Sequence, residues 1–168
     1  MGKALIVIDV QHDYFPGGNF PLWNTDATLE GVERAMARAR EQGVPVVIVQ
    51  HVAAGPSSFL AAGTRGVEVH QRITAAAPGA PLVVKAAADA FLKTTLAETL
   101  ATLGATELLV CGMMTQHCVT HTAISKSAEK YDVTVLADAC TTVSEVLHAI
   151  ALSALSARVR VLPVNDAF

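Results

Sequence analysis

Reactive side chains follow four apolar runs of this sequence. Asp9 closes the first run, His51 follows the second, Lys85 closes the third, and Cys118 comes a few residues after the fourth. A cysteine thiolate is a nucleophile, a carboxylate can serve as general base, and an ammonium group can stabilise either anion. If the runs are parallel strands, the four side chains lie beyond the carboxyl ends of the strands, where ligands bind in open α/β sheets. The pattern therefore predicts nucleophilic chemistry at one edge of a sheet.

Cys118 is the candidate nucleophile. It follows a strand-to-helix segment that begins at Cys111, and with Thr115 as N-cap it falls at the third helical position. The positive end of the helix dipole and a neighbouring lysine would both lower the pKa of the thiol from about 8.5 toward neutrality. A buried and unreactive cysteine is the alternative. Cys111, at the end of a predicted strand, and Cys140, near the start of a predicted late helix, are expected to be structural or edge-lining thiols.

Asp9 and Lys85 are predicted partners. Lys85 lies between Val84 and three alanines, and a charged ammonium in apolar surroundings needs an anion nearby. Either Asp9 or the Cys118 thiolate could be that anion. Burial raises the pKa of a carboxyl group and an adjacent lysine lowers it, so a buried pair could hold a carboxylate that exchanges protons. The alternatives are a turn carboxylate or helix N-cap at position 9 and a lysine that reaches solvent at position 85.

The elements that position these residues follow from hydrophobic periodicity. Six nearly continuous apolar runs, typical of parallel strands covered on both faces, span residues 4–8, 44–49, 81–84, 107–110, 132–136 and 158–162. Helical stripes between them lie at Leu29, Val32, Met36 and Ala39, at Leu96, Leu100 and Leu103, and at Leu147, Ile150, Ala151, Ala154 and Leu155. The pattern predicts an α/β fold, a three-layer α-β-α sandwich around a doubly wound, mostly parallel six-stranded sheet.

One long segment lacks this periodicity. Residues 52–78 are rich in alanine, glycine, serine and proline, and we predict a loop there with a short helix near 67–73. Neither a repeat nor a linker divides the sequence, so residues 1–168 are predicted to form a single domain.

Composition excludes several classes of protein. Of 168 residues, 52% are hydrophobic and 16% charged, which excludes a disordered or collagen-like chain. The formal net charge of −3, without blocks of one sign, gives no footprint for nucleic acid or for an anionic membrane. An odd count of three cysteines argues against a disulfide scaffold, and the first apolar run is too short for a signal peptide or membrane span, so a cytoplasmic location is expected. Without a glycine-rich phosphate motif, no nucleotide cofactor is predicted.

Three ordered motifs carry a family resemblance. They are residues 8–15 around Asp9, residues 83–85 ending at Lys85 with Ala90 and Phe91 after them, and residues 111–119 around Cys118. In type and order they resemble the isochorismatase-like cysteine hydrolases over almost the whole sequence. Residues 122–123 and 135–140 agree with the same family.

The resemblance implies a mechanism and an isochorismatase-like hydrolase fold. Asp9 would be the general base, Lys85 its electrostatic partner and Cys118 the nucleophile, with the oxyanion held by the backbone N–H groups of Met114 and Cys118. A cis peptide is implied at Met113–Met114. The implied reaction is hydrolysis of a C–N bond in a small amide or carbamoyl compound through a thioester.

Departures from the family pattern narrow the reaction. Nicotinamidases of this family bind a metal through an Asp-x-His motif after the second strand, where this sequence has His51 and no aspartate, so neither a metal nor nicotinamide is expected. His117 and His121 lack the glutamate that would favour a metal site between them. Cys118 favours C–N hydrolysis over vinyl ether cleavage, which some members carry out without the thiol. A vinyl ether hydrolase, and a non-catalytic binding or redox-sensing protein, remain the alternatives.

A substrate pocket and a subunit interface are also expected. We expect five residues to line the pocket for a small-molecule substrate: Gln11, Phe15, Trp23, His51 and His117. Core packing is the alternative for the two aromatic residues. The resemblance further implies a homodimer or homotetramer, with contacts expected in the apolar helices over residues 120–130 and 143–157.

Overall fold

Within residues 2–168, which the computed structural model describes, six strands form one parallel sheet. In chain order they are β1 (Gly2–Ile8), β2 (Val46–His51), β3 (Leu82–Lys85), β4 (Ala105–Met113), β5 (Asp132–Thr141) and β6 (Arg160–Leu162). Across the sheet the order is β3-β2-β1-β4-β5-β6, and every neighbouring pair is parallel. The strand order reverses beside β1, which places a ligand-binding crevice at the carboxyl ends of the central strands. The predicted fold class is confirmed, with a sheet that is entirely parallel.

Six α-helices flank the sheet in the described part of the chain. They are α1 (Thr25–Glu41), α2 (Gln71–Ala76), α3 (Leu96–Thr102), α4 (Thr120–Ala123), α5 (Glu145–Leu155) and α6 (Val164–Ala167). Helix α1 packs with α2 and α6, whereas α3, α4 and α5 contact β4, β5 and β6. All residues from Ala4 to Ile8 of β1 are fully buried, so helices cover both faces of the central strand. None of the helices in residues 2–168 has the length and apolar character that crossing a membrane requires.

The predicted apolar stripes hold for α1 and fail in part for α5. Every residue of the α1 stripe is buried, and so are Leu96 and Leu100 of α3. In α5, Ala151 and Leu155 are buried, but Ile150 is 61% exposed and Ala154 is also exposed. The prediction that these two residues face the sheet was wrong, because only part of the apolar stripe of α5 packs against the sheet. Val146, 69% exposed, lies on the same helix, where subunit contacts remain a prediction.

Several predicted bounds shift. The second strand begins and ends two residues later than predicted, and the predicted short helix lies over Gln71–Ala76. Strand β5 extends to Thr141 because its pairing with β4 shifts register between Val110 and Gly112. Cys140 therefore lies near the end of β5, shortly before α5 begins, and Cys111 lies inside β4 and not at its end. Both thiols are free and buried, as expected of structural cysteines.

Gly112 allows β4 to approach the end of β1. Its φ is +120°, and a Cβ atom at this position would lie 2.0 Å from the carbonyl oxygen of Ile8. Only glycine combines this backbone conformation with so close a contact. The approach brings the residues after β4 beside Asp9, which follows Ile8 directly.

Candidate active site

The structure brings Asp9, Lys85 and Cys118 together at the carboxyl edge of the sheet. The Lys85 Nζ atom lies 2.8 Å from Asp9 Oδ2 and 3.2 Å from Cys118 Sγ. His51 is the register partner of Lys85 on the neighbouring strand, and its Nδ1 atom lies 2.9 Å from Nζ. The exposed fractions of Asp9, Lys85 and Cys118 are 0%, 2% and 2%, so their contacts are shielded from bulk water.

The turn after β1 directs the Asp9 side chain into this cluster. Asp9 has a φ of +52°, a left-handed conformation that aspartate adopts more readily than most residues. Its backbone N–H donates to the Val49 carbonyl at 3.0 Å, which ties the turn to β2. The backbone therefore turns away from the direction of β1 at Asp9, while the Asp9 carboxylate remains beside Lys85.

Gln11 fastens the end of β2 next to this turn. Its side-chain Oε1 accepts from the His51 N–H at 2.9 Å, and its Nε2 donates to the carbonyls of His51 at 2.8 Å and Val67 at 2.6 Å. Gln11 is fully buried, so its amide is already engaged within the protein. Gln11, which was predicted to line the pocket, therefore positions His51 through these hydrogen bonds.

Cys118 lies in a π-helical turn over Thr115–Val119. The Val119 N–H donates to the Met114 carbonyl at 3.3 Å, and Met114 is the N-cap. The sequence expectation of Thr115 as N-cap was wrong by one residue, and Cys118 is the fourth residue of the turn. The Met113–Met114 peptide is cis, as the resemblance implies. Because N–H groups in a first turn lack intrahelical acceptors, the Cys118 N–H is suited to receive an anion.

The Lys85 ammonium contacts four polar atoms. Besides Asp9 Oδ2, His51 Nδ1 and Cys118 Sγ, the Ala87 carbonyl lies 2.9 Å from Nζ. His51 Nδ1, the Ala87 carbonyl and Cys118 Sγ match its three N–H donors in hydrogen bonds, and Asp9 Oδ2 adds the ion pair. The Ala87 carbonyl carries no side-chain signal, so sequence reasoning could not identify it.

Burial raises the pKa of the Asp9 carboxyl group, although the charge of Lys85 opposes the shift. Both carboxylate oxygens of Asp9 are buried and lack a hydrogen-bond donor among the described residues, and Oδ2 is held by the ion pair with Lys85. A carboxylate with a raised pKa and an open oxygen is suited to accept a proton. The Cys118 thiol is the nearby proton source, because a carboxylate oxygen of Asp9, a ring nitrogen of His51 and the Cys118 sulfur all lie within 4.8 Å of one another.

The pKa of the Cys118 thiol is raised to about 12 by burial and by the negative charge of Asp9, which together outweigh Lys85. The sequence expectation of a thiol near neutrality was therefore wrong. It counted the helix dipole and the lysine but could not count desolvation. At rest Cys118 is a neutral thiol, and it needs a base to become a nucleophile.

We expect Cys118 in the folded protein to react slowly with iodoacetamide at pH 8. A raised pKa reduces the thiolate fraction at any pH below it, so the rate should be below that of an ordinary thiol with a pKa of about 8.5 and should keep rising beyond about pH 9. Cys111 and Cys140, both buried, should stay unmodified and serve as internal controls. Peptide mass spectrometry at a series of pH values measures this, and a plateau near pH 8 would contradict it.

The other predicted pocket residues have different neighbours. His117 is exposed, and its Nδ1 lies 3.4 Å from Cys118 Sγ. Phe15 packs on the His70 ring with centroids 4.6 Å apart. Trp23 lies 5.8 Å from the His148 ring, and its backbone N–H donates to the Thr142 carbonyl. His51 and His117 therefore contact the catalytic candidates directly, whereas Phe15 and Trp23 pack against other elements.

Tyr14 is an aromatic neighbour of the site that sequence reasoning missed. It is 2% exposed, and burial followed by the charges of Asp9 and Cys118 raises the pKa of its phenol. Its ring packs against Phe20 and Phe59 at centroid distances of 6.4 and 6.2 Å. Tyr14 ends the 3-10 helix over His12–Tyr14, and its place in the motif of residues 8–15 is the signal that could have indicated it.

The donor set of Asp9, His51 and Cys118 does not fit a divalent cation. A cation bound by all three would occupy the space between them, and the Lys85 ammonium already lies within 3.2 Å of an atom of each. The Lys85 side chain therefore supplies the positive charge at this point of the site.

The sequence and the fold of this chain also match known proteins. The model of the isochorismatase domain matches residues 3–165. An uncharacterised isochorismatase family protein of Bacillus subtilis, YddQ, is 36% identical over 143 residues, which are 84% of this chain and 79% of that protein. A streptothricin hydrolase of Streptomyces noursei is 34% identical over 72% of this chain and 47% of its own length.

Among solved structures, an isochorismatase family protein from Desulfovibrio vulgaris superimposes with a TM-score of 0.89. The alignment has 26% sequence identity and covers 98% of this chain and 95% of that one. The fold of this chain is thus that of a known structure. The chain belongs to the isochorismatase family of hydrolases.

Proposed function

We propose that this protein hydrolyses a C–N bond in a small amide or carbamoyl compound, with Cys118 as nucleophile. The observation that carries the proposal is the buried contact of one ammonium, Lys85 Nζ, with both the Asp9 carboxylate and the Cys118 sulfur. This arrangement joins a base, a nucleophile and a cation that stabilises either anion.

In the first half-reaction, the Asp9 carboxylate takes the thiol proton and the thiolate attacks the carbonyl carbon of the substrate. The tetrahedral oxyanion accepts hydrogen bonds from the backbone N–H groups of Met114 and Cys118. The C–N bond then breaks, and the proton on Asp9 moves to the leaving nitrogen. The products are an acyl thioester on Cys118 and ammonia or an amine.

In the second half-reaction, Asp9 takes a proton from water, and the resulting hydroxide attacks the thioester. The C–S bond breaks, the acid is released, and the proton on Asp9 returns to the sulfur. Asp9 thus serves as base twice and ends in its starting state. A raised pKa supports this role because the carboxyl group must hold a proton between the two transfers.

The site gives less support to the alternatives. A redox sensor needs an accessible thiolate, whereas Cys118 is buried and the pKa of its thiol is raised to about 12. Vinyl ether cleavage needs no thiol nucleophile beside a base. Both therefore rank below C–N hydrolysis.

The proposal is tested with a panel of small uncharged amides and carbamoyl compounds, plus a vinyl ether substrate. Ammonia release should be detected for at least one amide, and acid-quenched protein should carry the acyl mass on the peptide containing Cys118. Cys118→Ala serves as the blank. Turnover of the vinyl ether alone, or an acyl adduct on another residue, would contradict the proposal.

A further inference from the structure

Thr122 holds the loop that follows β3 onto the helix that follows the candidate nucleophile. The loop covers residues 86–95 between β3 and α3, and the backbone N–H of Ala90 donates to Thr122 Oγ1 at 3.0 Å. Thr122 is 1% exposed and Ala90 is fully buried, so bulk water does not compete for this hydrogen bond. The proposed reaction leaves Thr122 without a role.

The same loop supplies an acceptor for the Lys85 ammonium. The Ala87 carbonyl lies 2.9 Å from Lys85 Nζ. His51 Nδ1 and Cys118 Sγ accept from the other two N–H groups, so each of the three has one acceptor. Lys85 ends β3, which is an edge strand and pairs only with β2. Because a lysine ammonium is carried on a flexible stem, its contacts determine where the charge lies.

These contacts form a closed circuit between the loop and the nucleophile. Thr122 lies in α4, four residues after Cys118, and α4 continues directly from the π-helical turn. Its hydroxyl accepts from Ala90, and Ala87 comes three residues earlier in the same loop. The Ala87 carbonyl holds Lys85 Nζ, which lies 3.2 Å from the Cys118 sulfur. The helix of the nucleophile thus holds the loop that holds the ammonium.

A second contact keeps the loop attached when Thr122 is changed. Ser125 Oγ donates to Asp89 Oδ2 at 2.7 Å, and Asp89 Oδ1 accepts from the Phe91 N–H at 2.8 Å. The Phe91 ring stacks on Tyr131 with centroids 6.2 Å apart. Loss of the Thr122 acceptor should therefore shift the loop locally without detaching it.

We propose that Thr122 is a positioning residue, whose hydroxyl holds the loop so that the Lys85 ammonium stays against the Cys118 sulfur. It acts through the Ala90 N–H and the Ala87 carbonyl, and it contacts neither the substrate nor a transferred proton. The inference rests on the proposed function, because Lys85 and Cys118 act together in that reaction.

A matched pair of substitutions tests this role. Thr122→Val keeps the shape of the side chain but has no oxygen, whereas Thr122→Ser keeps the acceptor. Burial and the charge of Asp9 raise the pKa of the Cys118 thiol to about 12 and Lys85 opposes them, so a displaced ammonium should leave less thiolate. We expect iodoacetamide to alkylate Cys118 at pH 9 about threefold more slowly in Thr122→Val than in Thr122→Ser, the effect of weakening one charge-assisted hydrogen bond.

A change of background separates the position of the ammonium from access to the thiol. Thr122 can act through the ammonium only where the ammonium exists. In the Asp9→Asn/Lys85→Met background, the valine and serine variants should therefore alkylate at equal rates. A difference caused by a looser loop or by easier access to Cys118 would persist in that background.

Controls address the neighbouring groups and the fold. Thr102→Val makes the same change at an exposed position of α3 and should alkylate at the rate of the parent protein. His51 and His117, which also face Cys118, are unchanged in all of these variants. Thermal melting verifies that the variants are folded.

Equal alkylation rates in Thr122→Val and Thr122→Ser, even with a lower melting temperature for the valine variant, would overturn the role of Thr122. So would a faster rate in Thr122→Val, or a difference that persists without Lys85. The measurement requires no substrate, so it is independent of the amide panel. If the rates differ as expected and no amide is hydrolysed, the proposed function fails while the positioning role stands. If amides are hydrolysed and the rates are equal, the proposed function stands and the positioning role fails.

Discussion

Replacing Cys118 with alanine is expected to reduce amide turnover by at least about 10⁴-fold, the effect typical of losing a catalytic nucleophile. Without the sulfur no thioester can form, and Asp9 has no thiol proton to accept. The change removes one buried atom from a short turn, so the variant should keep its fold. Steady-state rates and intact mass after acid quench measure the two effects.

Cys140→Ala is the matched control for that loss. It removes a second free, buried thiol, which lies within β5 and has no catalytic partner in the proposed mechanism. We expect its turnover to stay within about threefold of the parent protein, with a modest loss of stability from the small cavity. If Cys118→Ala retained a tenth of the parent activity, the nucleophile would have to be another residue.

Breaking the Asp9–Lys85 pair is expected to reduce both activity and stability. Both side chains are fully buried at a separation of 2.8 Å, and Lys85→Met leaves the carboxylate without its counterion. Removing one partner of a buried ion pair costs about 3–5 kcal/mol, because an uncompensated charge remains. Urea denaturation measures the free energy of unfolding, and the amide assay should detect no turnover.

The double variant Asp9→Asn/Lys85→Met distinguishes electrostatics from packing. With both charges gone, the free energy of unfolding should exceed that of Lys85→Met, while activity stays absent. A double variant less stable than either single variant would show that shape, not charge, dominates at this position.

The sign of the pH dependence follows from the raised pKa of Asp9. A raised carboxyl pKa contributes stability that is fully present below the unfolded value of about 3.9 and is lost as pH rises through the folded value. Removing Lys85 raises the pKa further, so the stability deficit of Lys85→Met should be larger at pH 7 than at pH 4. Unfolding curves at the two pH values measure it, and an equal deficit at both would contradict the assignment.

The sequence predicts the scaffold of the site better than its energetics. Continuous apolar runs suffice for a buried parallel sheet, and the position of Asp9, Lys85 and Cys118 after three of those runs places them on one edge. The pKa of Cys118 depends on the balance of burial against two opposite charges, which spacing alone does not contain. The same holds for Ile150, whose exposure depends on how closely α5 approaches the sheet.

Some local details of the site could not be predicted from the sequence, because each depends on a single residue. Tyr14 and Phe15 are adjacent aromatic residues, and only the structure shows that the 3-10 turn brings Tyr14 close enough for the charges of Asp9 and Cys118 to raise the pKa of its phenol. The π-helical turn at Thr115–Val119 moves the N-cap by one position without a sequence signal for it. Gln11 was predicted to line the pocket, and only the structure shows that its amide also holds the end of β2.

Because β1 pairs with β4, it lacks one of its two neighbouring strands while much of the chain is being synthesised. Gly2 pairs with Ala105 and Ile8 with Gly112, so β1 is synthesised roughly 100 residues before one of its two neighbours. During that interval an apolar strand, fully buried from Ala4 to Ile8 in the native protein, has an unpaired edge. Nascent chains are therefore most prone to aggregation before β4 is made, and the three candidate catalytic side chains meet only after β4 has joined the sheet.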